Sequence, residues 1–194
     1  MGEAPAIVGW LWVAFVLCWL ILAQFNKKAS RGASSRIAWG LRLAVLAVAL
    51  VIILLRRHGV PGPFTPVRHI LALHLGIAGQ WLGVGLCLAG FGFAFWARLH
   101  IGRNWGMPMS LRQGHELVTS GPYAYVRHPI YTGIMLAMIG SALTVRMLWL
   151  FLFPLYFIYF LFSARAEEKM MLAQFPDAYP AYRRRTKMLI PFVF

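Results

Sequence analysis

Long apolar runs separated by short basic segments dominate the pattern of this chain. Five such runs can be marked, at 6–25, 37–55, 70–97, 130–144 and 147–162. At about 1.5 Å per residue, the first three are long enough to cross a hydrocarbon core of about 30 Å. The last two are shorter and lie so close together that they predict a tight helical hairpin. The pattern predicts an all-α, polytopic integral membrane protein with five transmembrane helices.

Two of these runs carry further signals. The run 6–25 lacks a basic segment before it and an evident small-residue cleavage site, so we expect a retained helix rather than a signal peptide. The run 70–97 contains six glycines, which permit close packing against another helix. The two short runs predict a thinned or protein-covered membrane region at one end.

Composition agrees with a membrane protein and excludes other classes. Of the 194 residues, 60% are hydrophobic and only 12% are charged, a balance that argues against a nucleic-acid-binding protein despite the net charge of +14. The basic residues are better explained as topology signals and as contacts to anionic lipid headgroups. Cys18 and Cys87 lie in apolar runs, where cysteine behaves as a small hydrophobic residue. The histidines show no metal-ligand spacing, so we predict no metal.

The distribution of basic residues predicts the orientation in the membrane. Fourteen of the 19 lysines and arginines fall in 26–36, 98–129 and the segment after 162, which five helices would place on one side. Four fall on the opposite side, and Arg42 lies inside the second run. By the positive-inside rule, the side with fourteen is cytoplasmic and the N-terminus is outside. The polar segments therefore meet where a soluble cofactor arrives.

The first polar motif reads His115-Glu116-Leu117-Val118-Thr119-Ser120-Gly121-Pro122. Ser-Gly-Pro is a turn signal, and the Leu-Val pair before it offers extended backbone groups that can bind the edge of a flat heterocycle. The alternative is an ordinary surface turn.

The second motif, Arg127-His128-Pro129-Ile130-Tyr131-Thr132-Gly133, opens the fourth apolar run. Pro129 suits the first turn of a helix and forces His128 out of helical geometry. A helix N-terminus beside Arg127 and His128 favours an anionic ligand group, and Tyr131 offers a π-face to a cation. The alternative is an interfacial anchor whose side chains reach the lipid headgroups.

The third motif is the pair Glu167-Glu168, two of only five acidic residues in the chain. A carboxylate can accept two hydrogen bonds from a ribose diol and attract a positive centre. The alternative is a salt bridge with Arg165 or Lys169, which are near in sequence.

Together, in this order, the three motifs resemble the isoprenylcysteine carboxyl methyltransferase family over about 95 residues, from Arg98 to Phe192. The resemblance implies binding of S-adenosylmethionine, release of S-adenosylhomocysteine and methylation of a lipid-borne carboxylate. Residues at the matching positions would contact the adenine, the methionyl end and the ribose or amino group of the cofactor, and others would form the walls of its pocket. The residues are His115, Glu116, Leu117, Val118, Tyr123, His128, Pro129, Ile130, Tyr131 and Glu167.

The substrate side departs from the family pattern. Eukaryotic members carry an arginine four residues before the first of the paired glutamates, where this chain has Ser163; Arg98 and Arg165 are the possible substitutes. We expect residues 1–97 to form the first three membrane helices, and 98–194 to form the catalytic region with cofactor loop, hairpin and cytosolic segment. A substrate carboxylate is already ionised at pH 7, so we assign no catalytic base.

Several functions stay open at this point. The leading prediction is a carboxyl methyltransferase acting on a prenylated cysteine or another isoprenoid-bearing carboxylate, with membrane lipids as neighbours. A phospholipid N-methyltransferase shares the Arg-His-Pro and Glu-Glu motifs. A sterol-type membrane reductase would need a nicotinamide cofactor, for which the sequence shows no extra dinucleotide motif. A non-enzymatic membrane protein is the remaining alternative.

Overall fold

The computed structural model describes residues 3–23, 76–105, 116–145 and 148–193, and all of its regular structure in these ranges is helical. The only pairing of β type among them is a single parallel bridge between Val126 and Lys187. This confirms the predicted all-helical class for the described residues. The helices are α1 (Glu3–Ala23), α2 (Ile77–Ile101), α3 (Pro129–Thr144), α4 (Leu148–Gln174) and α5 (Ala178–Arg185), with 3₁₀ turns at Gly102–Asn104 and Gly121–Ala124.

Two of these helices are long and apolar enough to cross a membrane, over Glu3–Leu22 and Ile77–Ile101. Helix α3 is apolar but has only 16 residues. The predicted span 37–55 lies outside the described residues. The structure therefore supports two of the five predicted spans by length and composition, and the total of five stays a prediction.

Helix α4 is longer than its apolar run. The sequence pattern placed the Glu167-Glu168 pair just past the end of a helix at 162, but α4 continues without a break to Gln174. The reason is that 163–174 is rich in alanine, arginine, glutamate, lysine, methionine and leucine, all strong helix formers. Both carboxylates are thus held on a rigid helical extension of an apolar segment.

Helices α2 and α3 approach each other through glycines. A Cβ atom added at Gly90 would lie 2.5 Å from the Gly133 carbonyl oxygen, and one added at Gly133 would lie 2.5 Å from the Gly90 oxygen. Two turns away, a Cβ at Gly140 would lie 2.5 Å from the Gly83 oxygen. The pairing of 83 with 140 and of 90 with 133 makes the helices antiparallel. Backbone contact of this kind is typical of membrane helix pairs.

Helix α1 packs against this pair through aromatic rings. The Trp12 indole Nε1 donates a hydrogen bond to Ser141 Oγ on α3 at 2.9 Å, and the Phe15 ring stacks on Phe91 of α2 with centroids 4.6 Å apart. Near the C-terminal end of α1, Arg98 of α2 donates to the Leu22 carbonyl oxygen at 2.6 Å. These contacts hold α1 at both ends of the α2–α3 pair.

We predict that Gly133→Ala lowers the thermal unfolding temperature in detergent micelles, because overpacking a tight contact typically costs about 1–3 kcal/mol. Gly92→Ala is the matched control on α2, since a Cβ at Gly92 meets nothing within 4 Å. That control should leave stability unchanged or raise it slightly through helix propensity. Equal effects of the two substitutions on the unfolding temperature would contradict the glycine interface.

Candidate functional site

The 3₁₀ turn Gly121–Ala124 is fixed against the C-terminal end of α2. Gly121 has a positive φ of 59°, and a Cβ atom there would lie 2.7 Å from the His100 ring. The neighbouring Ser120 hydroxyl lies 2.9 Å from His100 Nε2. Tyr123 is buried, its hydroxyl donates to the Ala97 carbonyl oxygen at 3.4 Å, and its own carbonyl accepts from the Tyr182 hydroxyl at 2.7 Å. Tyr123 therefore anchors this turn between α2 and α5.

Helix α3 begins as the sequence predicts. His128 is the residue before the helix, with non-helical φ of −125° and ψ of 62°, and Pro129 occupies the first turn. The backbone N–H groups of Arg127 and His128 donate to the carbonyl oxygens of Lys187 and Met188, at 2.8 and 3.1 Å. Main-chain oxygens of this chain thus satisfy the N–H groups that precede the helix.

Beside this helix start, four side chains form what we call the polar cluster: Arg127, His128, Glu167 and Glu168. Arg127 Nε lies 2.6 Å from Glu168 Oε1, and both side chains are at least nine-tenths buried. Arg183 Nε approaches the other Glu168 oxygen at 3.5 Å. The sequence alternative paired Glu168 with Arg165 or Lys169, whereas its partner is 41 residues away. The anionic groups at this helix start are the chain's own carboxylates.

His128 lies between the two carboxylates of the polar cluster. Its Nδ1 is 3.4 Å from Glu167 Oε2, and its Nε2 is 3.7 Å from Glu168 Oε1. Burial acts to lower the pKa of His128, but hydrogen bonding to Glu167 and Glu168 and their charges outweigh it, so the pKa is raised. Burial acts to raise the pKa of Glu168, but hydrogen bonds from His128 and Arg127 and their charges hold it below its usual value. Both groups favour their charged forms.

Glu167 is the accessible carboxylate of the polar cluster, with 26% of its side chain exposed against 5% for Glu168. Its Oε1 accepts a hydrogen bond from the Tyr131 hydroxyl at 2.5 Å and one from Ser163 Oγ at 3.3 Å. The Tyr131 ring stacks on His128 and on Phe160, with centroid distances of 5.6 and 4.6 Å. An anchored, partly exposed carboxylate beside an aromatic stack can bind a cation or a diol.

The residues 186–189, which we call the C-terminal strap, run alongside the start of α3. The Arg127 guanidinium donates to the carbonyl oxygens of Thr186 and, at 3.2 Å, Arg183. Thr132 Oγ1 donates to the Leu189 oxygen at 2.5 Å. The strap was not predicted from the sequence, because backbone oxygens of any residue type can make these contacts. Arg127 thus joins α4, α5 and the strap.

The structure brings together only part of the predicted set. His128, Pro129 and Tyr131 at the start of α3 lie beside Ser163 and Glu167 of α4, with Ile130 in the same first turn. Glu116, Leu117 and Val118 precede the 3₁₀ turn in a stretch without helix or strand, and Leu117 and Val118 are partly exposed. His115 lies outside the described residues.

The two predicted substrate arginines have different surroundings. Arg98 is buried, donates to the carbonyl oxygens of Leu22 and Gly102, and places its guanidinium 4.7 Å from the centre of the Trp105 ring. Arg165 is exposed on α4. Arg98 therefore links the C-terminal ends of α1 and α2. Over the described ranges, no group of three histidine, cysteine or acidic side chains is arranged to hold a metal ion.

The charged forms of His128 and Glu168 predict a stability optimum in pH. The raised pKa of His128 contributes stability that is complete below its usual value of about 6.5 and is lost as pH rises through the raised value. The lowered pKa of Glu168 contributes stability present above about 4.5 and lost as pH falls through the lowered value. The thermal unfolding temperature in detergent should be highest between these two pKa values. In His128→Gln, the decrease of that temperature at alkaline pH should become smaller. If that decrease is the same in His128→Gln as in the wild-type protein, the result would contradict a contribution of His128 to the pH dependence.

Comparison with known proteins places this site in a family context. Residues 82–174, which include most of α2, all of α3 and the polar cluster, match the isoprenylcysteine carboxyl methyltransferase (ICMT) family. The protein-S-isoprenylcysteine O-methyltransferase of Schizosaccharomyces pombe is 38% identical over 82 residues, which are 41% of this chain and 34% of that protein. Methanethiol S-methyltransferase 2 of Bradyrhizobium diazoefficiens is 34% identical over 163 residues, 77% of this chain and 59% of that protein.

A solved structure has the same helical arrangement. The eukaryotic intramembrane Ras methyltransferase ICMT superimposes with a TM-score of 0.53 at 28% identity, covering 60% of this chain and 45% of that one. The chain thus spans less than two thirds of the length of each of these relatives. The shared region contains the paired helices, the Arg-His-Pro helix start and the two glutamates. Residues 82–174 of this chain, just under half of its length, match the isoprenylcysteine carboxyl methyltransferase family.

Proposed function

We propose that this protein transfers a methyl group from S-adenosylmethionine to the carboxylate of a prenylated cysteine, forming a methyl ester. The match of residues 82–174 to this family supports methyl transfer. The single observation that carries the proposal is Glu167: a carboxylate held by Tyr131, Ser163 and His128, yet still partly exposed. An anchored carboxylate of this kind suits a ligand that carries both a positive centre and hydroxyl donors.

The residues present fit S-adenosylmethionine. His128 lies beside Glu167, with its Nδ1 3.4 Å from Glu167 Oε2, and its ring stacks on Tyr131 at the start of α3. We assign Glu167 to the ribose diol or the amino group, the Tyr131 face to the positive centre, and the backbone of Leu117 and Val118 to the adenine. When bound, S-adenosylmethionine supplies an electrophilic methyl group on a sulfonium.

The state of the polar cluster supports a reaction without a general base. The two neighbouring carboxylates raise the pKa of His128, which favours its charged form, and a charged imidazole has no free lone pair with which to remove a proton. A carboxylate acceptor needs none, because it is ionised at neutral pH. The protein then contributes alignment of the reactants and exclusion of water.

We place the reaction at the cytosolic boundary of the membrane. The positive-inside rule puts the polar cluster and the C-terminus on the cytosolic side and the N-terminus outside. The prenyl tail of the acceptor would enter from the bilayer among α2, α3 and α4, whose apolar residues flank the polar cluster. Met135 lies one helical turn further into α3 than Tyr131, Phe160 lies about two turns further into the apolar part of α4 than Glu167, and the two side chains belong to one buried apolar cluster.

A thiol acceptor is the second candidate, and one observation favours it. The position of the family arginine is held by Ser163, which is 1% exposed and hydrogen-bonded to Tyr131 and Glu167. Its possible substitute Arg98 is bound to backbone oxygens at the ends of α1 and α2. Among the described residues this leaves the exposed Arg165 as the other possible substitute, and a site without a buried cation discriminates less strongly in favour of a carboxylate. The similarity to a protein named methanethiol S-methyltransferase 2 agrees with this candidate.

The acceptor can be identified with methyl-labelled S-adenosylmethionine and the purified protein in liposomes. Offered N-acetyl-S-farnesylcysteine, methanethiol or phosphatidylethanolamine separately, the protein should methylate the farnesylcysteine fastest, by about tenfold or more, which corresponds to about 1.4 kcal/mol of discrimination. The product should release labelled methanol in alkali. A volatile labelled thioether as the main product would favour the thiol candidate, and an alkali-stable labelled amine lipid would favour the phospholipid alternative. Either result would overturn carboxyl methylation.

A further inference from the structure

The position of the C-terminal strap relative to the membrane follows from its contacts with α3. Leu189 is fully buried and packs with Met135 of α3 and Phe160 of α4. Its carbonyl oxygen accepts from Thr132, the fourth residue of the apolar helix α3. The chain that follows Leu189 therefore starts at the level of the first turn of α3, where that helix meets the aqueous boundary.

Beyond the strap, residues 190–193, which we call the C-terminal tail, turn outward. Val193 N–H donates to the Ile190 carbonyl oxygen at 3.1 Å, which closes a turn. The side chains are apolar but exposed: Ile190 is 43%, Phe192 85% and Val193 71% accessible. Phe192 also has a positive φ of 65°, a conformation that glycine or asparagine adopts far more readily. The Phe192 ring thus packs little against the described part of the fold.

Exposed basic residues precede the C-terminal tail in the sequence. Arg184, Arg185 and Lys187 are exposed, and 178–193 contains no acidic residue. Buried Tyr179 and Tyr182 fix one face of α5 against the protein, so the exposed Arg184 and Arg185 on the same helix are directed away from it. Apolar side chains at the membrane boundary, flanked by basic ones, match the layered chemistry of an anionic lipid surface.

We propose that the C-terminal tail and the basic side chains Arg184, Arg185 and Lys187 form an interfacial anchor that docks on an anionic lipid surface. The Phe192 ring and Val193 enter the boundary between headgroups and acyl chains, and the basic side chains contact the headgroups. Since the strap is continuous with this anchor, lipid contact also holds the carbonyl oxygens that bind Arg127. The anchor depends on membrane insertion of the helices but not on the reaction that the protein performs.

The test places an environment-sensitive fluorophore on Phe192→Cys in a Cys18→Ser background. Cys87 stays in place because it is buried. The matched control is Ala173→Cys, which is exposed on the helical extension of α4 away from the apolar segment. Both proteins are reconstituted in nanodiscs of phosphatidylcholine alone or with phosphatidylglycerol, with lipids brominated near the glycerol end of the acyl chain as quenchers. Iodide serves as the aqueous quencher.

We expect brominated lipid to quench the label at 192 at least twofold more than the label at 173, and phosphatidylglycerol to increase that difference. Arg184→Gln with Arg185→Gln should abolish the phosphatidylglycerol effect while leaving the unfolding temperature unchanged. Strong iodide quenching at 192 without lipid quenching would overturn the anchor. Protection from both quenchers would show that protein covers Phe192, and equal lipid quenching with and without phosphatidylglycerol would show that headgroup charge is not recognised; either overturns the proposal.

Discussion

The buried ion pair between Arg127 and Glu168 is the interaction on which the candidate site depends. Both charges are removed from water, so their attraction must offset a large desolvation cost, and the pair needs further hydrogen bonds to do so. The strap oxygens supply these bonds to Arg127, while Arg183 and His128 approach Glu168. Removing one partner of such a pair typically costs about 3–5 kcal/mol because an unpaired buried charge is left.

The ion pair also places the other groups of the site. Because Glu168 is paired with Arg127, Glu167 is the more exposed of the two carboxylates. His128 lies between Glu167 and Glu168. Tyr131, one helical turn after Arg127, then reaches Glu167 with its hydroxyl. This arrangement requires the start of α3 to meet the extension of α4. The glycine contacts between α2 and α3 support it by fixing α3 along its length.

Local signals in the sequence were sufficient for the helices and for the start of α3. The apolar runs predicted α1, α2 and α3 to within a few residues, and Pro129 predicted the first turn of α3. The exception is the start of α2, which was predicted earlier in the chain, mostly in residues that the structure does not describe. The extension of α4 past the membrane segment was missed because hydropathy ends at 162 while helix propensity continues. Hydropathy reports burial in lipid, not the length of a helix.

The partners within the site depend on tertiary contacts that no local pattern encodes. Glu168 has nearby basic residues on its own helix, yet Arg127 on another element takes it. The strap binds through backbone oxygens, which carry no residue signature. By its charge, Arg98 is a possible substrate contact. Its hydrogen bonds to Leu22 and Gly102 depend on α1 lying beside α2, which no local pattern predicts. The motifs therefore identified residues that lie together at the start of α3 and on α4, whereas the pairs that touch depend on the tertiary fold.

The central claim is that the polar cluster holds Glu167 ready to bind the methyl donor, and calorimetry with S-adenosylhomocysteine tests it most directly. Glu167→Gln should weaken binding by about 10- to 100-fold, as expected for the loss of a charge-assisted hydrogen bond. Glu3→Gln, the same change at an exposed carboxylate on α1, should bind like the wild-type protein. Wild-type affinity in Glu167→Gln, or no binding by the wild-type protein, would contradict the account.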